Sequence, residues 1–177
     1  TSDDPGDRKK YRHLTAFIVE KGAPGFTVEK INEIAGFENI QNGVLNFDKV
    51  PVSPSNVIGQ EGEGWNVMTI GLNFERTLIC ATTLGWQREL LRYTVPYAQR
   101  RVQFGRPTID FVNNQFKIAD LIIRLKVSRL ITFYTAHLWD LGWDITLESN
   151  VAKVYNCEGT MASSLDAVQV MGGDGLT

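Results

Sequence analysis

Histidine and cysteine are scarce, two of each in 177 residues. Cys80 and Cys157 lie far apart without CxxC spacing, and His13 and His137 share no motif. Neither a metal site nor a disulfide framework is readable from them. Two isolated thiols point instead to a reducing, cytoplasmic compartment. A surplus of positive charge is also missing: the formal net charge is −2. With a pI near 5.7, this argues against general nucleic-acid binding, and Arg100, Arg101 and Arg106 are too local to form such a face. No apolar run reaches membrane-spanning length, because Arg124, Lys126 and Arg129 break the best candidate. Repeats, low-complexity tracts and a secretory or transit segment are not evident. What remains is the composition of an ordinary globular protein, 43% hydrophobic and 21% charged, with enough chain to bury a core. The polar start without Met and the stop at Gly172-Gly173-Asp174-Gly175-Leu176-Thr177 read as those of a fragment.

The pattern changes near residue 60, which divides the chain into 1–59 and 60–177. Thr1 to Arg12 reads as a solvated loop. His13 to Glu20 is β-branched and aromatic, a predicted strand. After a turn at Pro24-Gly25, Phe26 to Ile31 alternates as a half-buried strand. Gly43 to Val50 is a third, and the prolines at 51 and 54 should take the chain out of the sheet. Three short strands make only a marginal sheet.

From Gly64 the period shifts from two to 3.6. Three long helices are expected, Gly64 to Arg101, about Asp110 to Leu141, and about Leu147 to Met171. Pro96 should kink the first without ending it, and Gly172-Gly173 should end the third. The apolar stripes predicted to face the core are Val67, Ile70, Phe74, Leu78 and Ala81; then Ala119, Ile123, Val127, Leu130, Tyr134, Leu138 and Leu141. On the third helix they are Val151, Val154, Cys157, Met161, Leu165 and Val168. Short turns imply an up-down bundle, of four or more helices. Arg101, Gly172-Gly173 and the start of the second helix then share one end. Glu75 and Arg76 lie nearer the other, ~37 Å from Arg101 at the helical rise.

Taken singly, these residues have structural readings. Arg101 could simply complement a helix C-terminus, Gly172 could be a C-cap, and Glu75-Arg76 could be a solvated pair of little value. The four tryptophans, Trp65, Trp86, Trp139 and Trp143, read as packing residues.

Four runs in order, VPVSPSNVIGQEGEGW, LNFERT, YAQRRVQFGRP and QVMGGDGLT, closely resemble the acyl-CoA dehydrogenase family. The likeness covers nearly everything from His13 to Thr177. It corresponds to the end of that family's middle β-domain and most of its C-terminal helical domain. It implies an α+β fold, a piece of antiparallel sheet or barrel followed by an up-down bundle of long helices. It implies FAD as cofactor, with Arg101, Gln103 and Phe104 at the pyrophosphate and adenosine portion. Gln169, Gly172 and Gly173 would approach the same cofactor. Asn73 and Arg76 match positions near bound acyl-CoA. Glu75 stands where isovaleryl-type and long-chain-type members place the catalytic base. Most members instead use a glutamate in a loop after GGxG, which would lie beyond Thr177. Val112 departs from a glutamine that often reaches the adenine. Gly36-Phe37-Glu38-Asn39 lacks the small hydroxyl residues common there, so the acyl group is left undefined.

The reaction implied is α,β-dehydrogenation of an acyl-CoA thioester, with a carboxylate removing the α-proton and the β-hydride passing to flavin N5. Electron-transferring flavoprotein or a similar acceptor would reoxidise the flavin. The ~37 Å between Arg101 and Arg76 implies that they serve different flavins, hence a homodimer or homotetramer with shared FAD. No metal is expected. A flavin oxidase or monooxygenase on the same fold, and a non-catalytic helical assembly domain, remain as alternatives. The fragment alone is expected to be inactive.

Overall fold

The structure, a computed structural model, describes residues 10–176. Thr177 and most of the predicted N-terminal loop, residues 1–9, lie outside the described residues. Two compact units are resolved, Thr1–Ile70 and Gly71–Thr177.

The first unit holds two separate two-stranded antiparallel ladders where one three-stranded sheet was expected. β1 (Ala16–Phe17) pairs with β4 (Val57–Ile58), and β2 (Phe26–Asn32) with β3 (Asn42–Phe47). The predicted strand His13–Glu20 shrinks to two residues because its only partner is two residues long. Asn56 extends the contact, its side-chain amide donating to the Ile18 carbonyl while its backbone carbonyl accepts from the Ile18 N–H. The prolines do leave a sheet, as expected, but a short 3-10 turn at Pro54–Asn56 returns the chain to β4. In the β2–β3 hairpin Phe26 stacks on Phe47 at 4.9 Å. Gly25 is required beside it, since its φ is 84° and a Cβ would collide with the Asp48 carbonyl.

The three predicted helices are present. α1 spans Gly64–Arg100 and runs through Pro96, α2 spans Val112–Asp140, and α3 spans Thr146–Met171. Within the second unit α1 and α3 run parallel: Asn73 bonds Thr146, Gln87 bonds Thr160, and Tyr97 bonds Asp174. α2 runs against both, with Lys117 on Asp166 and Thr132 on Asn156.

The predicted core stripes are corrected by the structure. Ile70, Phe74 and Leu78 are exposed, as are Ile123, Leu130 and Tyr134 on α2 and Val154, Met161 and Leu165 on α3; of the α2 stripe only Leu138 is buried. The helices instead meet through small and polar side chains. Asn73, Cys80, Gln87 and Thr94 are buried on α1, Ser128, Thr132 and Thr135 on α2, and Ser149, Asn156, Thr160 and Ser163 on α3. Small residues allow close approach of the helices, and several of their polar groups bond across the seam, whereas the Thr94 and Ser163 hydroxyls are buried without a hydrogen-bond partner. The Gln87 amide donates to Thr160 Oγ1 at 2.8 Å and to Ser128 Oγ at 3.2 Å. Asn156 donates to Thr132 Oγ1 at 2.7 Å. An apolar cluster of Ala98, Ile118 and Val170, flanked by Val95 and Ile109, closes one end.

Candidate functional site

At the end of α1 the chain leaves Arg100 into a tight hairpin, β5 (Val102–Gln103) against β6 (Arg106–Pro107). This ladder was not expected from the sequence. Its two turn residues, Phe104 (φ 52°) and Gly105 (φ 80°), both take left-handed backbone, as a two-residue hairpin requires. For glycine that is free; for phenylalanine it is a local strain. The Phe104 ring is 94% exposed and meets Phe111 edge-on at 6.2 Å. The Arg106 guanidinium lies 4.3 Å from the same Phe111 ring. Thr108 ties the hairpin back to the helix. Its N–H donates to the Arg101 carbonyl at 2.7 Å and its hydroxyl to the Ala98 carbonyl at 3.2 Å. Two terminal carbonyls of α1 are thus satisfied.

The Arg101 side chain, by contrast, is exposed and forms no ion pair among the described residues. The end of α3 arrives beside it. Gly172 (φ 64°, ψ −135°) stops the helix, and Asp174 in the following 3-10 turn accepts from the Tyr97 hydroxyl at 2.8 Å. That bond to the carboxylate pushes the Tyr97 phenol up from its ordinary value. A Cβ on Gly172 or Gly173 would meet nothing within 4 Å, whereas one on Gly175 would strike the Val168 backbone at 2.9 Å. Gly175 is therefore a packing glycine, while Gly172 and Gly173 present bare, open backbone. Gln169 is exposed on the last turn of α3. Arg101, Gln103, Phe104, Gln169, Gly172 and Gly173 are thereby gathered at one end of the second unit, as the up-down reading required. An arginine fork beside Cβ-free backbone suits a pyrophosphate, so the residues present fit an anionic dinucleotide.

Asn73, Glu75 and Arg76 stand apart on the same continuous helix, ~37 Å from Arg101 along its rise. Asn73 is buried. Its amide donates to Thr146 Oγ1 at 2.8 Å, and its carbonyl accepts from Arg76 Nη1 at 2.9 Å and from Ser149 Oγ at 3.3 Å. Thr146 is fixed in turn by Asp144, which accepts from its hydroxyl at 2.6 Å and its N–H at 2.9 Å. Those two bonds hold the Asp144 carboxyl below its usual value. Spacing alone did not reveal Thr146, Ser149 or Asp144. Glu75 is exposed and forms no ion pair with Arg76. Neighbours on a helix point ~100° apart, so adjacency in sequence does not pair them. An apolar groove of about 650 Å³ runs between α1 and α2, lined by Phe74, Leu78 and Leu84 facing Leu125, Phe133 and Trp139. Neither Glu75 nor Arg101 borders it. No cluster of potential metal ligands occurs among the described residues, and no helix there is long and apolar enough to cross a membrane.

The family described as acyl-CoA dehydrogenase, C-terminal domain, matches residues 62–177. An acyl-CoA dehydrogenase of Bacillus subtilis (strain 168) is 38% identical over 165 residues, covering 93% of this chain and 44% of that protein. Butyryl-CoA dehydrogenase from Megasphaera elsdenii superimposes with a TM-score of 0.89 at 33% identity, over 96% of this chain and 44% of its own. PigA, solved with FAD and proline, does so with a TM-score of 0.89 at 28% identity, over 92% and 43%. The chain thus spans less than half the length of the relatives it matches. The family match covers most of the sequence and the solved relatives share its fold, so the chain belongs to the acyl-CoA dehydrogenase family.

Proposed function

We propose that the full-length protein carrying this chain is an FAD-dependent acyl-CoA dehydrogenase. The observation that carries the reading is the unbroken helix α1, Gly64–Arg100. It sets an anion-suited end and a carboxylate-bearing end too far apart to serve one reacting centre. FAD, when bound, supplies the acceptor for the β-hydride. Arg101 and the bare backbone at Gly172 and Gly173 would hold its pyrophosphate, and Gln103, Phe104 and Gln169 would bind its adenosine portion. Arg76, braced by buried Asn73, borders the acyl-CoA. Glu75 removes the α-proton, unless a glutamate beyond Thr177 does so. A carboxylate in that role works best with water excluded, where its pKa rises toward the operating pH.

The separation further supports an assembly in which Arg101, Gln103 and Gly173 serve a neighbouring subunit's cofactor, while Asn73, Glu75 and Arg76 serve their own. A homodimer or homotetramer follows, with electron-transferring flavoprotein or a similar acceptor as redox partner. A reducing, cytoplasmic setting fits Cys80 and Cys157, both free. Burial pushes the Cys80 thiol to about 11, with the charge of Cys157 adding to the effect, so it stays a protonated core residue. The 177 residues alone are expected to show no turnover. The direct test is the visible spectrum of the purified full-length protein, with and without acyl-CoA. Flavin absorbance that bleaches with acyl-CoA under anaerobic conditions is expected. A colourless preparation that does not take up added FAD would sink the proposal.

A further inference from the structure

Arg76 is half-buried and carries a full positive charge, yet no carboxylate stands beside it among the described residues. Its guanidinium is bonded to a neutral amide instead. Nη1 donates to Asn73 Oδ1 at 2.9 Å, and the two meet because residues three apart share a helix face. Asn73 is buried, so solvent does not set which way its amide points. Its neighbours do. A guanidinium can only donate, which requires the Asn73 oxygen on the Arg76 side. On the other side stands Thr146 Oγ1, 2.8 Å from Asn73 Nδ2. That hydroxyl has one proton, and Asp144 Oδ1 takes it at 2.6 Å. An ionised carboxylate can only accept, so the Thr146 oxygen is left to accept from Asn73.

The three bonds therefore run one way, from Arg76 through Asn73 and Thr146 to Asp144. A cation stands at one end and an anion at the other, with every donor pointing toward the anion. Hydrogen bonds aligned head to tail polarise one another. The anion is itself fixed to backbone. Asp144 lies in the turn between α2 and α3, and its Oδ1 also accepts from the Thr146 N–H at 2.9 Å, the local bond that Asp favours in turns. The chain of bonds is thus anchored at the start of α3 and ends on α1. Ser149 does not direct it. Its hydroxyl lies 3.3 Å from both Asn73 Oδ1 and the Thr146 carbonyl, and its one proton can serve either.

We propose that Asp144 and Thr146 are positioning residues that act on Arg76 through Asn73, holding its guanidinium where acyl-CoA meets it. This rests on the reading of that end as the acyl-CoA end. Asp144 is the counter-ion at a distance, and Thr146 is the link. The test is calorimetric titration of the full-length protein with S-butyl-CoA and S-octyl-CoA, thioethers that bind without reacting. The tighter of the two is carried through the variants. Thr146→Val keeps the side-chain size and the N–H bond to Asp144 but removes the link. Kd rises about threefold to tenfold, the worth of one hydrogen bond. Thr146→Ser, which restores a hydroxyl, binds like wild type. In an Arg76→Met background Thr146→Val has no further effect, because no guanidinium is left to position. Wild-type binding by Thr146→Val overturns the proposal. So does a loss of equal size with and without Arg76, the sign of a purely structural role. Asp144→Asn keeps an acceptor for the turn but not the charge, and decides the matter if Thr146→Val does not fold. It weakens binding only where Arg76 is present; a loss in both backgrounds, or in neither, overturns the proposal. If wild type binds neither thioether, the acyl-CoA reading fails by itself, and the relay is judged by denaturant unfolding. There, losses from Thr146→Val and Arg76→Met that overlap uphold it, and losses that add in full overturn it.

Discussion

The two ends of α1 are held by opposite means. At the near end, Asn73 is buried and Arg76 is bonded to it, inside a network that reaches Thr146 and Ser149. At the far end, the backbone of Arg101 is tied down by Thr108 while its side chain is left exposed. Phe104 is pushed outward on strained backbone. One end is arranged before anything binds, and the other presents groups for something to arrive. The difference teaches that substitutions at the near end should register in folding, and those at the far end in binding. Glu75 is the exception. It belongs to the near end by position, yet it is exposed and outside the network.

Glu75 therefore gives the largest expected effect. Glu75→Gln keeps size and exposure, so the melting temperature should hold. If Glu75 is the base, turnover of the full-length enzyme falls by about 10²–10⁴-fold. Turnover within a few-fold of wild type would assign the base to a glutamate beyond Thr177. Next is Asn73→Leu, which removes the buried bonds that Asn73 makes to Thr146, Arg76 and Ser149. A loss of about 2–4 kcal/mol in denaturant unfolding is expected. A loss near zero would break the claim that the near end is pre-arranged. Arg101→Ala is the matched experiment at the far end. With no ion pair to lose, stability should not move, while FAD affinity falls about 10–100-fold, the worth of one charge-assisted bond. Unchanged flavin content in Arg101→Ala would remove the cofactor role from this end.

Part of this contrast was legible in the sequence and part was not. Helix existence and ends were readable because Gly, Pro and a 3.6-residue period mark them locally. The inward face was not, because apolar stripes such as Ile123-Val127-Leu130 look like core whether they meet their own bundle or another surface. The true inward face had its own signal. Asn73, Cys80, Gln87 and Thr94 recur every seven residues, as do Ser149, Asn156 and Ser163, a small-polar periodicity that a search for apolar periodicity passes over. Of the candidate site, the residues came from motif likeness, and the up-down topology placed Arg101 with Gly172-Gly173. That Asn73 braces Arg76 depends on a bond to Thr146, far along the chain, which no local spacing encodes. The hairpin at Val102–Pro107 was missed because Phe104-Gly105 lacks the Asn or Asp that usually announces left-handed turn backbone.

Beneath the exposed far end lies a partly buried electrostatic anchor, and it sharpens the contrast. Burial alone would raise the Asp166 carboxyl, but hydrogen bonds from Lys117 at 2.6 Å and Arg124 at 2.7 Å outweigh it and hold the group below its usual value. A carboxyl depressed in the native state contributes stability above its unfolded pKa, ~3.9, and loses it as pH falls through the native value. The wild-type melt should therefore steepen in acid, and Asp166→Asn should flatten that dependence at a cost of about 1 kcal/mol near neutrality. An acid melting curve identical in the two proteins would mean that the anchor is inert.

The smallest effect, and the most discriminating, belongs to Phe104. Glycine at this position releases left-handed strain of about 1–2 kcal/mol and gives up an edge-on aromatic contact of about 0.5–1.5 kcal/mol. The two nearly cancel, so Phe104→Gly should leave the melting temperature within a few degrees of wild type. A ring kept 94% exposed on strained backbone has no folding role to lose. If it is held there to meet a cofactor, flavin content falls while stability does not. If both measurements stay level, the hairpin is only a connection between α1 and α2, and the far end reduces to Arg101 and its glycines.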